Sequence, residues 1–145
     1  MPTVQHILTH KGGEVVRIDQ DSSVLDAARL MNERHIGAVV VTRAEKVVGI
    51  FTERDILNRV VARERNPAQT RVEEVMTAPV ACCDPGTTRA ECRAVMKNRR
   101  IRHLPVVAEG RLLGIVSIGD ILENEGFEQQ ETIRYLYEYM HGEYR

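Results

Sequence analysis

The chain repeats itself at a shift of 65 residues, and this constrains what it can fold into more than any other feature. Laid over one another without a gap, residues 15–58 and 80–123 agree at 11 of 44 positions. The identities include Val15/Val80, Asp19/Asp84, Met31/Met96, Arg34/Arg99, Gly49/Gly114 and Ile50/Ile115, then the run Asp55-Ile56-Leu57 against Asp120-Ile121-Leu122. A short prelude repeats at a shift of 68, Val4-x-x-Ile7-Leu8-Thr9 against Val72-x-x-Val75-Met76-Thr77. The three extra residues fall within His10-Lys11-Gly12-Gly13-Glu14, where the second copy has Ala78-Pro79. The chain is therefore read as two copies of one unit and a tail, divided at residues 1–64, 65–125 and 126–145. A unit of about 60 residues buries little core alone, so the copies are expected to pack against each other.

Each unit reads as strand, helix, strand, strand, helix. Residues 14–18 and 80–83 are short β-prone runs. Ser23-x-x-Asp26 and Thr88-x-x-Glu91 place a hydroxyl three residues before a carboxylate, the capping-box signature of a helix start. Leu25, Ala28 and Met31 keep helical spacing to about Arg34, as do Ala90, Val95 and Met96 in the second copy. Residues 38–42 and 104–108 are apolar enough for buried strands, and 47–51 and 112–116 return across turn-like stretches as hairpins. Thr52-x-x-Asp55 and Ser117-x-x-Asp120 open the second helix of each copy, the first expected to reach about Arg63. Residues 64–70, with Asn66-Pro67, read as a linker.

Composition narrows the function classes. With 20 Lys and Arg against 21 Asp and Glu, the net charge is −1, so no global basic field exists to hold a polynucleotide or an anionic membrane. No apolar run approaches the ~18 residues of a spanning helix, and the first ten residues lack the apolar core of a secretory signal. The three cysteines are odd in number, with no Cys-x-x-Cys pair and no His at zinc-ligand spacing. They read as small apolar residues of a reducing compartment, which makes the cytoplasm the expected location, with no metal required.

The chemistry concentrates at the strand-to-helix corners. In Gly49-Ile50-Phe51-Thr52-Glu53-Arg54-Asp55 and Gly114-Ile115-Val116-Ser117-Ile118-Gly119-Asp120, a hydroxyl and a carboxylate meet at a helix N-terminus. Free N–H groups and the helix dipole suit an anion there, and the carboxylate can accept hydrogen bonds from vicinal ribose hydroxyls. The same pattern also describes a plain capping box, and duplication alone does not separate the two. Residues 97–103 add four cations and a His: Lys97, Arg99, Arg100, Arg102 and His103. They form either a solvated helix end or a phosphate-facing corner in which Arg102 and His103 stand beside a nucleotide. The corresponding Gly37 and Ala38 would admit a flat ring against the backbone, so unequal sites are expected. A nucleic-acid or other interaction module built on the same basic cluster is the alternative, although aromatic stacking platforms near it are lacking.

The duplicated β-α-β-β-α unit, the two Gly-x-x-Thr/Ser-x-x-Asp corners and the His103-Leu104-Pro105 element together resemble a tandem CBS-domain pair, or Bateman module, of the stand-alone bacterial type. The resemblance covers about Val4 to Glu125. It implies an α/β (α+β) fold of two motifs packed about a pseudo-twofold axis, with two clefts for adenosine ligands such as AMP, ATP or NAD, and commonly a homodimer. By the same resemblance Asp55 and Asp120 would hold ribose with Thr52 and Ser117 beside them, and Arg54 would reach phosphate where Gly119 cannot. Thr9 and Thr77 match positions that contact base or phosphate, with Val80 close by, and Lys11 would add a cation to the first cleft. The first copy departs from the pattern by carrying Val40 where Pro105 stands.

Residues 126–145 lie outside both repeats and hold five of the six aromatics, with Ile133, Leu136, Tyr137 and Met140 at helical spacing. They are expected to form a helix that packs on the module or on a second subunit. Cys92 and His103 have no sequence-evident catalytic partner, and no Gly-Lys-Ser/Thr phosphate loop occurs. The expected function is a non-enzymatic sensor of an adenine nucleotide, acting in trans on an effector protein, with no membrane or nucleic-acid partner.

Overall fold

The computed structural model describes residues 2–12 and 14–126, so the helix expected at 126–145 lies outside the described residues apart from Gly126. The first copy is preceded by α1 (Val4–Lys11) and contains β1 (Arg17–Asp19), α2 (Val24–Arg34), β2 (Ala38–Arg43), β3 (Lys46–Thr52) and α3 (Glu53–Asp55). A π-helical segment, Ile56–Val61, continues α3. The second copy is preceded by α4 (Val72–Val75) and contains α5 (Arg89–Arg99), β4 (His103–Ala108), β5 (Arg111–Ser117) and α6 (Ile118–Asn124). The mixed α+β architecture of two units agrees with the sequence reading.

Local chemistry explains most boundaries. Ser23 and Thr88 cap α2 and α5 by accepting from the Asp26 and Glu91 N–H groups at 3.0 and 3.1 Å. Both helices end on a residue in the left-handed region, His35 (φ 55°) and Arg100 (φ 54°), whose N–H groups fold back onto the last carbonyls. These two residues are equivalent under the 65-residue shift, so one device turns the chain into β2 and into β4.

The sheets differ between copies. β1 pairs parallel with β2, and β2 antiparallel with β3, in a three-stranded sheet. The second sheet has only β4 and β5. The strand expected at residues 80–83 is reduced to one parallel bridge, Cys83 to Val106. Cys83 N–H donates to the Pro105 carbonyl at 2.9 Å and its own carbonyl accepts from Val107 N–H at 2.8 Å. Pro105 has no N–H to donate in return, so the ladder cannot extend where Val40 allows it in the first copy.

The two preludes are exchanged. α1, which precedes the first copy, buries Val4 and Ile7 among Cys92, Met96, Leu104, Val106, Val116 and Ile121 of the second. α4, which precedes the second copy, buries Val72 and Val75 among Val24, Ala27, Met31, Val39, Val41, Phe51 and Val60 of the first. Backbone bonds pin both arms at equivalent places: Val4 N–H to the Thr87 carbonyl (2.9 Å), and Val72 N–H to the Ser22 carbonyl (2.8 Å). Each buried Val or Ile contributes about 1.5–3 kcal/mol by transfer from water. The repeated glycines lie under these arms. A Cβ on Gly49 would stand 2.6 Å from Met76 Sδ and 2.9 Å from the Thr77 carbonyl oxygen, and one on Gly114 would stand 2.8 Å from Leu8 Cδ2.

Gly49→Ala is therefore expected to cost about 1–3 kcal/mol in urea denaturation, because backbone must shift. Gly114→Ala should cost less than half of that, since only the flexible end of Leu8 has to move. Equal losses would contradict the account.

Candidate functional site

The two corners form as helix caps first. Thr52 N–H donates to Asp55 Oδ2 at 3.0 Å and Asp55 N–H donates to Thr52 Oγ1 at 3.2 Å. Ser117 and Asp120 repeat the pair at 2.9 and 3.0 Å. Each carboxylate keeps oxygen lone pairs beyond this reciprocal bond, and the copies use them differently.

At the first corner Asp55 is 5% exposed. Thr77 Oγ1 donates to both of its oxygens at 3.0 and 3.3 Å, and Arg59 Nε lies 3.8 Å from Oδ1. Arg59 also donates to the Met76 carbonyl at 2.7 Å, fastening the end of α4 over the corner. Thr77 reaches this place because Ile50 and Thr77 exchange backbone hydrogen bonds at 3.0 and 2.8 Å, which lay the chain after α4 along β3.

At the second corner the partner is Lys11, whose ammonium donates to Asp120 Oδ2 at 2.9 Å and to the Ile115 carbonyl at 3.0 Å. The expectation that Lys11 serves the first cleft is thus corrected: α1 crosses to the second copy and carries its last residue to Asp120. Burial pushes the Asp120 carboxyl up, but the Lys11 ammonium and the Ser117 N–H outweigh it and hold the group below its ordinary range.

A cleft of about 520 Å³ opens beside the first corner. Thr52, Arg54 and Asp55 line one side with Gly37 and Ile50, and Arg99, Arg100, Ile101, Arg102 and His103 line another. Thr77, Pro79, Val80 and Ala81 close it between them. The basic cluster thus shares a cleft with the carboxylate of the other copy. Ile50, Pro79, Val80, Ala81 and Ile101 supply apolar lining, and Glu53, whose carboxylate stands beside Gly37, lines the cleft as well.

Of the other residues expected at ligand sites, Ser117, Asp120 and Lys11 meet at the second corner, outside this cleft. Thr9 lies on the exposed face of α1 and accepts from Gln5 Nε2 at 3.1 Å. Ala38 and Pro105 are buried in β2 and β4, paired with Thr52 and Ile115. Sequence reasoning missed Ile50, Glu53, Pro79, Ala81 and Ile101 as lining residues. Ile50 and Ile101 were marked by the repeat itself, and Pro79 and Ala81 flank Val80.

His103 is half-buried in the cleft. Burial, with help from Lys11 and Arg102, pushes its imidazole below the ordinary histidine range against the opposing pull of Asp120 and Glu53. It stands neutral at pH 7. Burial pushes the Cys82 thiol up, and the hydrogen bond that Cys83 and Cys92 share pushes Cys83 up and Cys92 down, with Cys92 wholly buried. Among the described residues no three His, Cys, Asp or Glu side chains gather closely enough for a metal ion. No helix among them is long and apolar enough to cross a membrane.

The chain resembles known proteins over nearly all of the described length. The family profile of the CBS domain matches it twice, at residues 4–62 and 72–125. The mitochondrial CBS domain-containing protein CBSX3 of Arabidopsis thaliana is 30% identical, covering 98% of this chain and 73% of that protein. A putative signal-transduction protein with CBS domains from Burkholderia ambifaria superposes with a TM-score of 0.83 at 41% identity, covering 88% of this chain and 96% of that one. A hexameric CBS-CP12 protein from bloom-forming cyanobacteria superposes with a TM-score of 0.78 at 31% identity, covering 90% and 74%.

The Thr77 hydroxyl is what ties the buried Asp55 carboxylate to the exchanged arm. Thr77→Val, which keeps the shape and removes the donor, is expected to cost about 1.5–3 kcal/mol in urea denaturation at pH 7. Thr77→Ser should stay within about 1 kcal/mol of the parent, and a valine variant as stable as the parent would show the bond to be dispensable.

Proposed function

The chain belongs to the CBS-domain family as a tandem pair, a class of regulatory module, and on that premise we propose that it is a non-catalytic sensor of an adenine nucleotide (AMP, ATP or NAD). The ligand binds in the Asp55 cleft and the output acts in trans on a separate effector protein, from a self-associated form in the cytoplasm. A homodimer is the proposed assembly, and the hexameric state of the CBS-CP12 relative supports self-association.

One observation carries the reading: the cleft joins a hydroxyl–carboxylate corner to four guanidinium groups across an apolar wall. The wall suits a purine ring, the Thr52–Asp55 corner suits ribose hydroxyls, and Arg54, Arg99, Arg100 and Arg102 suit phosphate oxygens. A volume of about 520 Å³ falls in the range of small-molecule sites. The arginines line a concave cleft, a geometry that favours a compact anion over a polynucleotide backbone. A ligand with different affinity for two arrangements of the module shifts their populations, and this is the signal that a partner reads.

In a thermal-shift panel of AMP, ATP, NAD and S-adenosylmethionine, at least one nucleotide should raise the melting temperature. Arg102→Ala should weaken its binding by roughly tenfold or more, as loss of a charge-assisted bond to phosphate requires. No shift with any of the four would sink the proposal.

Binding should also depend on pH through His103. Its pKa lies below the ordinary value of 6.5 in the free protein, and a phosphate placed against it raises that value, so binding takes up protons. Affinity is expected to strengthen as pH falls from 8 towards 6, by at most about tenfold per unit. Calorimetry across that range checks it: His103→Gln should flatten the dependence, and an unchanged slope in that variant would remove His103 from the site.

A further inference from the structure

The first corner holds two carboxylates, and the protein engages only one of them. Asp55 is 5% exposed, accepts from the Thr52 N–H and from the Thr77 hydroxyl, and has the Arg59 guanidinium 3.8 Å away. Its oxygens are committed to holding the corner and the crossed arm together. Glu53 is the opposite case. Its backbone is fixed, because its N–H donates to the Gly37 carbonyl at 3.0 Å. Its exposed carboxylate has no hydrogen-bond or ion-pair partner among the described residues, the four arginines of the cleft included. The group lies over Gly37, where a Cβ would stand 3.4 Å from its carboxyl carbon, and it lines the cleft of about 520 Å³.

We infer that Glu53, rather than the buried Asp55, is the carboxylate that accepts the ribose hydroxyls of the nucleotide. The inference rests on the nucleotide reading above and deepens it by assigning the sugar contact to one residue. A carboxylate beside phosphate-binding arginines repels phosphate, so it favours such a ligand only through a donor. Vicinal hydroxyls supply two donors for its two oxygens, and a bond to an ionised acceptor is stronger than one between neutral groups.

The repeat separates the structural part of the corner from the part that meets ligand. Thr52 and Asp55 have Ser117 and Asp120 as equivalents, with the same reciprocal capping bonds. Between them, Glu53 and Arg54 are replaced by Ile118 and Gly119. Ile118 packs against the second core. The second corner therefore keeps the cap and lacks both exposed charged groups.

Titration calorimetry on the full chain with ATP and with 2′,3′-dideoxy-ATP, which lacks both hydroxyls, tests this. The unmodified chain should bind ATP at least roughly tenfold more tightly than the dideoxy analogue. In Glu53→Ala the two should bind within about twofold of each other, and the analogue should bind no more weakly than in the unmodified chain, since the repulsion is gone. Glu53→Gln, which keeps one acceptor oxygen, should retain part of the preference. Glu53 is exposed, so neither variant removes core. A full preference for ATP in Glu53→Ala, or no preference in the unmodified chain, would overturn the inference while leaving nucleotide binding intact. An unmodified chain that binds no ATP would overturn the inference as well, and the thermal-shift panel then decides the nucleotide reading on its own.

Discussion

Everything in this molecule hangs on an exchange of arms. The segment that precedes each copy closes the core of the other, α1 over the second sheet and α4 over the first. Neither copy can complete its apolar core without a helix supplied from outside its own repeat, a requirement that follows from the small core a unit of about 60 residues can build. The backbone bonds from Val4 to Thr87 and from Val72 to Ser22 set the position of both arms, and the repeated glycines under Leu8 and Met76 let them lie close.

The site inherits its composition from that exchange. Because α4 crosses the first sheet, the chain leaving it runs along β3 and brings Thr77, Pro79, Val80 and Ala81 to the Thr52–Asp55 corner. Because the same chain then enters the second copy, the arginines at the end of α5 come to the same cleft. One volume therefore holds a carboxylate from one copy and guanidinium groups from the other. Because α1 crosses the second sheet, its last residue reaches Asp120, and two corners with one capping geometry acquire different partners, the Thr77 hydroxyl at Asp55 and the Lys11 ammonium at Asp120.

What is local was legible in the sequence. Ser23, Thr88, Thr52 and Ser117 all cap helices where a hydroxyl stands three residues before a carboxylate, because that bond closes within one turn. The hairpins and the existence of two units followed from the repeat. What depends on long-range geometry was not legible. Nothing in the prelude says which copy it covers, so Lys11 was expected at the first cleft, although it pairs with a residue 109 positions away. The lost strand at 80–83 did carry a signal, since Pro105 removes a donor exactly where Val40 supplies one; a count of donors along β4 would have found it. The π-helical continuation of α3 and the left-handed Arg100 carry no composition signal, and at His35 the signal is weak, since histidine is enriched in that region only relative to other non-glycine residues.

The central claim is that one ligand cleft is built from both copies. Backbone amide shift mapping by NMR during addition of ATP tests it most directly. Shifts are predicted together at residues 52–55, 77–81 and 99–103, from three stretches that only the exchanged arrangement brings to one place. Shifts confined to residues 117–120, with the arginines of α5 unmoved, would contradict the account.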